Sequence, residues 1–227
     1  MAYRIAVEDM EQNHWVAWAL DLPGCFSSAR TQEEAEVMAP TSISQYINWL
    51  KNLGYRQLPR QDYIEVEVVE TFRSYVSGGM YVANAFFEDD KRPLLKEDVE
   101  FGLWLLERTR EDLLDAANSV AEEKFAQSIP GEVQGSIQGI VEHVAWSEWW
   151  YLDRLGLAFD RDKMPSGVFK MLAAVRQHSQ KQLASLVGVD QIITVRGEKW
   201  SPRKILRRTL WHERDHTNHI AKLRTYI

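Results

Sequence analysis

The sequence predicts two units of different class: an α+β unit of strands plus one helix over about residues 1–88, then an all-α, up-down four-helix bundle over 94–227. Three observations carry this division. Apolar residues alternate with period two in the first stretch, and they recur at three- and four-residue steps in the second. Between them, Glu88-Asp89-Asp90-Lys91-Arg92-Pro93 forms a charged run closed by proline, the makeup of a linker.

Within the first unit, Tyr3, Ile5 and Val7 share one face of an extended segment and Arg4 and Glu8 lie off it, so a half-buried strand is expected over about 2–9. His14 to Leu20 is a second apolar run, and it ends at the turn-forming Asp21-Leu22-Pro23-Gly24, which makes the pair a hairpin. Thr31 stands three residues before Glu34, a capping box that starts a helix running through Ile43, Ile47 and Leu50 to Gly54. Pro40 removes one hydrogen bond of that helix and is expected to bend it. Ile64 to Val68 alternates again, and Tyr75 to Phe87 reads as extended around Gly78-Gly79.

Four amphipathic helices follow. Leu95, Val99, Leu103, Leu106, Leu113 and Ala117 define the first stripe; Ile137, Ile140, Val144, Ser147 and Tyr151 the second; Val168, Leu172, Val175, Ser179 and Leu186 the third. The last helix has Ser201 as N-cap and Pro202 at its first position, then Ile205, Thr209, His212, His216, His219 and Leu223 on one face. Four such stripes satisfy one another by packing together.

With 45% hydrophobic and 26% charged residues the chain can bury a core, which excludes a disordered or fibrous protein. A net charge of −6 lacks the cationic field that nucleic-acid binding needs, so no nucleic-acid partner is expected. Charges punctuate every apolar segment, so no membrane span is expected, and the opening MAYRIAVEDMEQ lacks the layout of a signal peptide. One cysteine allows no internal disulfide, which together with that opening predicts a cytoplasmic protein.

Three of the six histidines fall within eight residues on the inward stripe of the last helix. Side chains at i and i+4 stand one above the other, so His212 and His216 can present their imidazoles to one ion. His143, at the edge of the Ile140/Val144 stripe, is the best third ligand, because facing helices converge in a bundle interior. Burying imidazoles without partners costs about 1–3 kcal/mol for each unsatisfied group, and a shared cation removes much of that cost. Three neutral imidazoles and an open position make the ligand set of a catalytic divalent site, with Zn, Ni or Fe as the candidate metals. A lone inward histidine is more often a hydrogen-bonded core residue; three on one stripe shift the balance to the metal. His219 is either a further ligand or a residue that orients a ligand or lines the pocket.

His212-Glu213-Arg214-Asp215-His216 also matches H-E-x-x-H, in which the glutamate would be the general base of a metalloprotease. The extended form of that motif needs a histidine where Lys222 stands, and the eleven residues after His216 hold no distant downstream glutamate. Glu213 is therefore expected to be a charged residue off the histidine face.

The segment Ile140-Val141-Glu142-His143-Val144-Ala145-Trp146-Ser147-Glu148-Trp149-Trp150-Tyr151, followed by Trp211-His212-Glu213-Arg214-Asp215-His216-Thr217-Asn218-His219-Ile220, resembles the DinB family over about residues 94–227. The resemblance implies a four-helix bundle with a divalent ion held by His143, His212 and His216. The family often has glutamine at the place of His219. Some relatives use the metal to activate a low-molecular-weight thiol such as mycothiol or bacillithiol, and others have no known activity; a metal-dependent thiol transferase or hydrolase acting on a small-molecule substrate is thereby implied. Asp21-Leu22-Pro23-Gly24-Cys25 with Thr31-Gln32-Glu33-Glu34-Ala35 resembles the HicB antitoxin core over about residues 1–70, which implies a partial ribonuclease-H-like fold and a protein partner for the first unit.

Cys25 is expected to be a small packed hydrophobe. Nine tryptophans, with Trp146, Trp149 and Trp150 beside His143, suit a bundle core, a homodimer interface or the wall of an apolar pocket. Arg203, Lys204, Arg207, Arg208 and Arg214 are expected on a solvated outer face of the last helix. Two functions compete: an enzyme with an open metal position, whose cavity Tyr151 and Glu148 could reach, and a non-catalytic antitoxin-like or regulatory protein in which His219 closes a structural metal shell.

Overall fold

A computed structural model describes residues 2–11, 13–58, 63–77 and 81–225. The chain divides into two compact units, Met1–Asp89 with Thr194–Lys199, and Asp90–Ile193 with Trp200–Ile227. The return of residues 194–199 to the first unit has no counterpart in the sequence reading.

The first unit is strand-rich with one helix. Strands β1 (Tyr3–Glu11), β2 (His14–Ala19), β3 (Phe26–Ala29) and β4 (Val66–Arg73) form one sheet in the order β3-β2-β1-β4. β1 and β2 are antiparallel, with Val7 opposite Ala17, and β4 runs parallel to β1. A parallel return needs a crossover, and helix α1 (Gln32–Asn52) supplies it. Thr31 caps α1 by accepting from the Glu34 backbone N–H, and the helix continues unbroken through Pro40. Ala35, Ala39, Ile43, Tyr46 and Leu50 form its buried face, at helical spacing.

β1 is buried on both faces rather than half-buried: Ala6 and Glu8 are as inaccessible as Ile5 and Val7. Glu8 is tolerated because its Oε1 accepts from the Ala85 backbone N–H at 2.7 Å and from the Ser74 hydroxyl. Cys25 is buried, as a packed hydrophobe would be. The stretch read as extended from Tyr75 is a short antiparallel pair, β5 (Tyr75–Ser77) and β6 (Tyr81–Ala83); Gly78-Gly79 lie outside the described residues. The Tyr75 hydroxyl donates to the Gly197 carbonyl at 2.9 Å, at the turn between β7 (Ile193–Val195) and β8 (Glu198–Trp200). Arg196 and Gly197 both have positive φ there, the conformation a two-residue hairpin turn needs.

The second unit is helical. Its long helices are α2 (Lys96–Asn118), α4 (Ile137–Asp153), α5 (Val168–Ala184) and α6 (Pro202–Leu223), with the single-turn α3 (Glu122–Phe125) between the first two. α2 packs on α6 and α5, and α4 packs on α5 and α6. Gly102 permits the close approach of α2 to α6, since a Cβ there would stand 2.9 Å from a Leu206 methyl. Ile137, Ile140, Val141 and Val144 of α4 share one apolar core with Leu113, Leu172 and Ile220. No helix among the described residues is long and apolar enough to cross a membrane.

The run read as a linker is more ordered than a solvated connector. Residues Glu88–Lys91 form a 3-10 turn, and Asp90 is buried where the Arg207 guanidinium donates to both its oxygens at 3.0 and 2.6 Å. The basic side of α6 is accordingly not a solvated face. Lys204, Arg207 and Arg208 are buried, and Arg203 donates to Asp98 at 2.6 Å and to the Pro93 carbonyl at 2.9 Å. Arginine carries enough donors to be buried when carboxylates and carbonyls meet them.

Candidate metal centre

Two capped helices bring the candidate residues together. Ser136 caps α4 by accepting from the Gly139 N–H at 3.0 Å, which sets His143 on the second turn. Ser201 caps α6 by accepting from the Lys204 N–H, with Pro202 at the first position, and this phase turns His212 and His216 toward α4. His212 Nε2 lies 3.1 Å from His143 Nε2 and 3.1 Å from His216 Nε2. All three ligand atoms lie within 4.8 Å of one another, so the three histidines could hold a metal ion; among the described residues no fourth His, Cys, Asp or Glu joins the group.

The donor set fits a cation better than it fits its own hydrogen bonding. Nitrogens bound at 2.0–2.1 Å to a tetrahedral zinc stand about 3.3 Å apart, close to the 3.1 Å that separates His212 Nε2 from each of the other two. Without a cation, His212 Nε2 faces two other ring nitrogens, and one N–H can serve only one of them. Burial pushes the pKa of His143 below the usual histidine value. His212 is driven well below it by burial and then by His216, His143 and Arg208, and His216 is driven down to about 3 by burial, His143 and His219. Neutral imidazole is the form that ligates.

His219 does not close the shell. Its Nε2 lies 3.1 Å from Glu132 Oε2, on the loop before α4, and its ring centroid is 6.1 Å from that of His216. Tyr151 stands edge-on to His212 at 5.9 Å between centroids. Glu148 does not reach the histidines: it is buried in an ion network, and so is Glu213.

That network was not anticipated. Arg110 of α2, Glu148 of α4, Arg176 of α5 and Glu213 of α6 meet in the interior, one from each long helix. Arg176 grips Glu148 with Nε at 2.8 Å and Nη2 at 3.1 Å, and Nη2 also donates to Glu213 at 2.8 Å. Arg110 donates to Glu213, to Glu148 at 2.7 Å and to the Leu172 carbonyl at 2.6 Å, while the Thr109 hydroxyl donates to Glu213. Glu213 is thus off the histidine face, as expected, but buried, and with both oxygens accepting it is not placed as a base toward the histidines. Each long helix contributes one charged residue to the network, two of each sign.

A helical unit with three convergent imidazoles from two of its helices defines a class of candidate metal-binding helical protein. Residues 105–220 match the family model described as the DinB superfamily, and the chain belongs to that superfamily. No curated protein and no solved structure gives a match to the chain.

Proposed function

We propose that the second unit is an up-down four-helix bundle holding one divalent ion on His143, His212 and His216, and that the protein is a metal-dependent enzyme acting on a small molecule. The observation that carries this reading is the convergence of three Nε2 atoms while His219 is engaged by Glu132. Three protein ligands leave room for an exchangeable one, as in catalytic rather than structural sites. A divalent ion held there would supply Lewis acidity, lowering the pKa of a thiol or water that reaches the open position. The chain's own part is to keep the three imidazoles neutral, to fix their separation through α4 and α6, and to present the Tyr151 ring beside His212.

Metal analysis of protein purified without added metal or nickel resin tests this reading. About one ion per chain is expected for the wild type and little for His216→Ala; equal content in the two would overturn it. The first unit we read as a HicB-like module for a protein partner. Its strand–strand–strand–helix–strand order supports that reading, and the partner would copurify with the wild-type chain.

A further inference from the structure

We propose that the tryptophan-lined stretch of α4 carries a subsite for a planar aromatic anion, which deepens the metal-centre reading by naming the class of molecule brought beside it. Trp146, Ser147, Trp149, Trp150 and Arg161 line a cavity of about 310 Å³. The three histidines do not line it, but Ser147 does, and Ser147 stands one helical turn from His143 on the same side of α4. A molecule seated there lies a turn away from the imidazole cluster.

The walls are held in place. Trp149 Nε1 donates to the Phe159 carbonyl at 2.9 Å, which ties α4 to the loop before α5. Trp146 and Trp149 meet edge to face at 5.8 Å, and Trp150 meets Trp200 in the same way at 5.3 Å. Such fixed indoles offer flat, polarisable faces at little entropic cost, and flat apolar rings are what they receive best. A cavity of roughly 150 Å³ holds one benzene, so this one has room for a two-ring system.

Charge selects among aromatic molecules. Arg161 is the one ionic side chain of this lining, and its guanidinium lies 5.1 Å over the Trp146 ring, which fixes its direction. A neighbouring cavity of about 500 Å³ shares Trp146 and Arg161 but also exposes Glu142 and Asp162. Those carboxylates would repel an anion, so the anionic group belongs on the tryptophan side of Arg161.

Calorimetric titration of the full chain with naphthalene-2-sulfonate, neutral 2-naphthalenemethanol and cationic 2-naphthylmethylammonium tests the subsite. One sulfonate per chain is expected, bound more tightly than either analogue, with Arg161→Gln weakening the sulfonate about three- to tenfold and leaving the neutral alcohol unchanged. Equal binding of all three probes, a preference for the cation, or an Arg161→Gln variant with unaltered sulfonate affinity would overturn the proposal. Arg161 is exposed, so its variant is expected to fold. Trp149→Ala should weaken all three probes. The metal reading is separated by metal analysis of the same wild-type and His216→Ala samples: sulfonate binding with equal metal content in the two overturns only the metal centre, and metal lost in His216→Ala alone with no sulfonate binding to the wild type overturns only the subsite.

Discussion

Arg176 Nη2 donates to Glu213 Oε2 at 2.8 Å, joining α5 to α6 one residue away from His212. Because the same guanidinium holds Glu148 of α4, it fixes the two histidine-bearing helices against each other through one side chain. Two guanidiniums and two carboxylates compensate one another, and removing one partner leaves a buried charge unmatched. Arg176→Met is expected to destabilise the protein by about 3–5 kcal/mol in urea unfolding. A loss below about 1 kcal/mol would show that the network does not hold the helices.

The same network makes stability depend on acid. Burial alone would push the Glu148 carboxyl up, but the Arg176 and Arg110 guanidiniums overcome it and hold the pKa at about 2. Above the ordinary value near 4.5 both folded and unfolded chains carry the ionised carboxylate, and its contribution is complete. As pH falls from there toward 2 the unfolded chain binds the proton first, so on the order of 3 kcal/mol is lost. His216 acts in the same direction between the ordinary histidine value and about 3, since the unfolded chain protonates first there too. The contribution of Glu148 is therefore read as a difference: Glu148→Gln should show a shallower fall in urea stability between pH 5 and 3 than the wild type, by up to about 1.4 kcal/mol per pH unit.

What the sequence disclosed follows from the range of the interactions involved. Thr31 and Ser201 act within three residues, and helical stripes within four, so these two caps, the helices and the His212/His216 pair could be read directly. His143 was reachable because the stripe phase placed it on an inward edge. Asp90 and Arg207 are 117 residues apart, and a buried pair at that separation leaves no local pattern; charges on α6 therefore looked solvated. The strands Ile193–Val195 and Glu198–Trp200 are too short to alternate visibly, although Arg196-Gly197 is a turn signal. The four-residue β3 went unseen for the same reason.

Glu132 and His219 supply a contrast with the three clustered histidines. If Glu132 draws the His219 ring away from the cluster, His219→Ala should keep about one metal per chain, where His216→Ala loses it. Loss of metal in both variants would instead make His219 a ligand and the shell closed, which would argue for a structural ion.

Ligation must also appear as stability, because an ion that binds only the folded arrangement of His143, His212 and His216 shifts the folding equilibrium. The three rings come from positions 143, 212 and 216, and the unfolded chain cannot hold His143 beside the other two without closing a loop of many residues. Zinc at one hundred times its dissociation constant is then expected to add about 2.7 kcal/mol to unfolding free energy, and excess chelator to remove it. Thermal unfolding of the chelated protein with and without added zinc measures the shift. His143→Ala should abolish most of it while His14→Ala, on β2 in the first unit, should leave it intact. A zinc-induced shift that survives His143→Ala would place the ion on the His212/His216 pair alone and remove α4 from the centre.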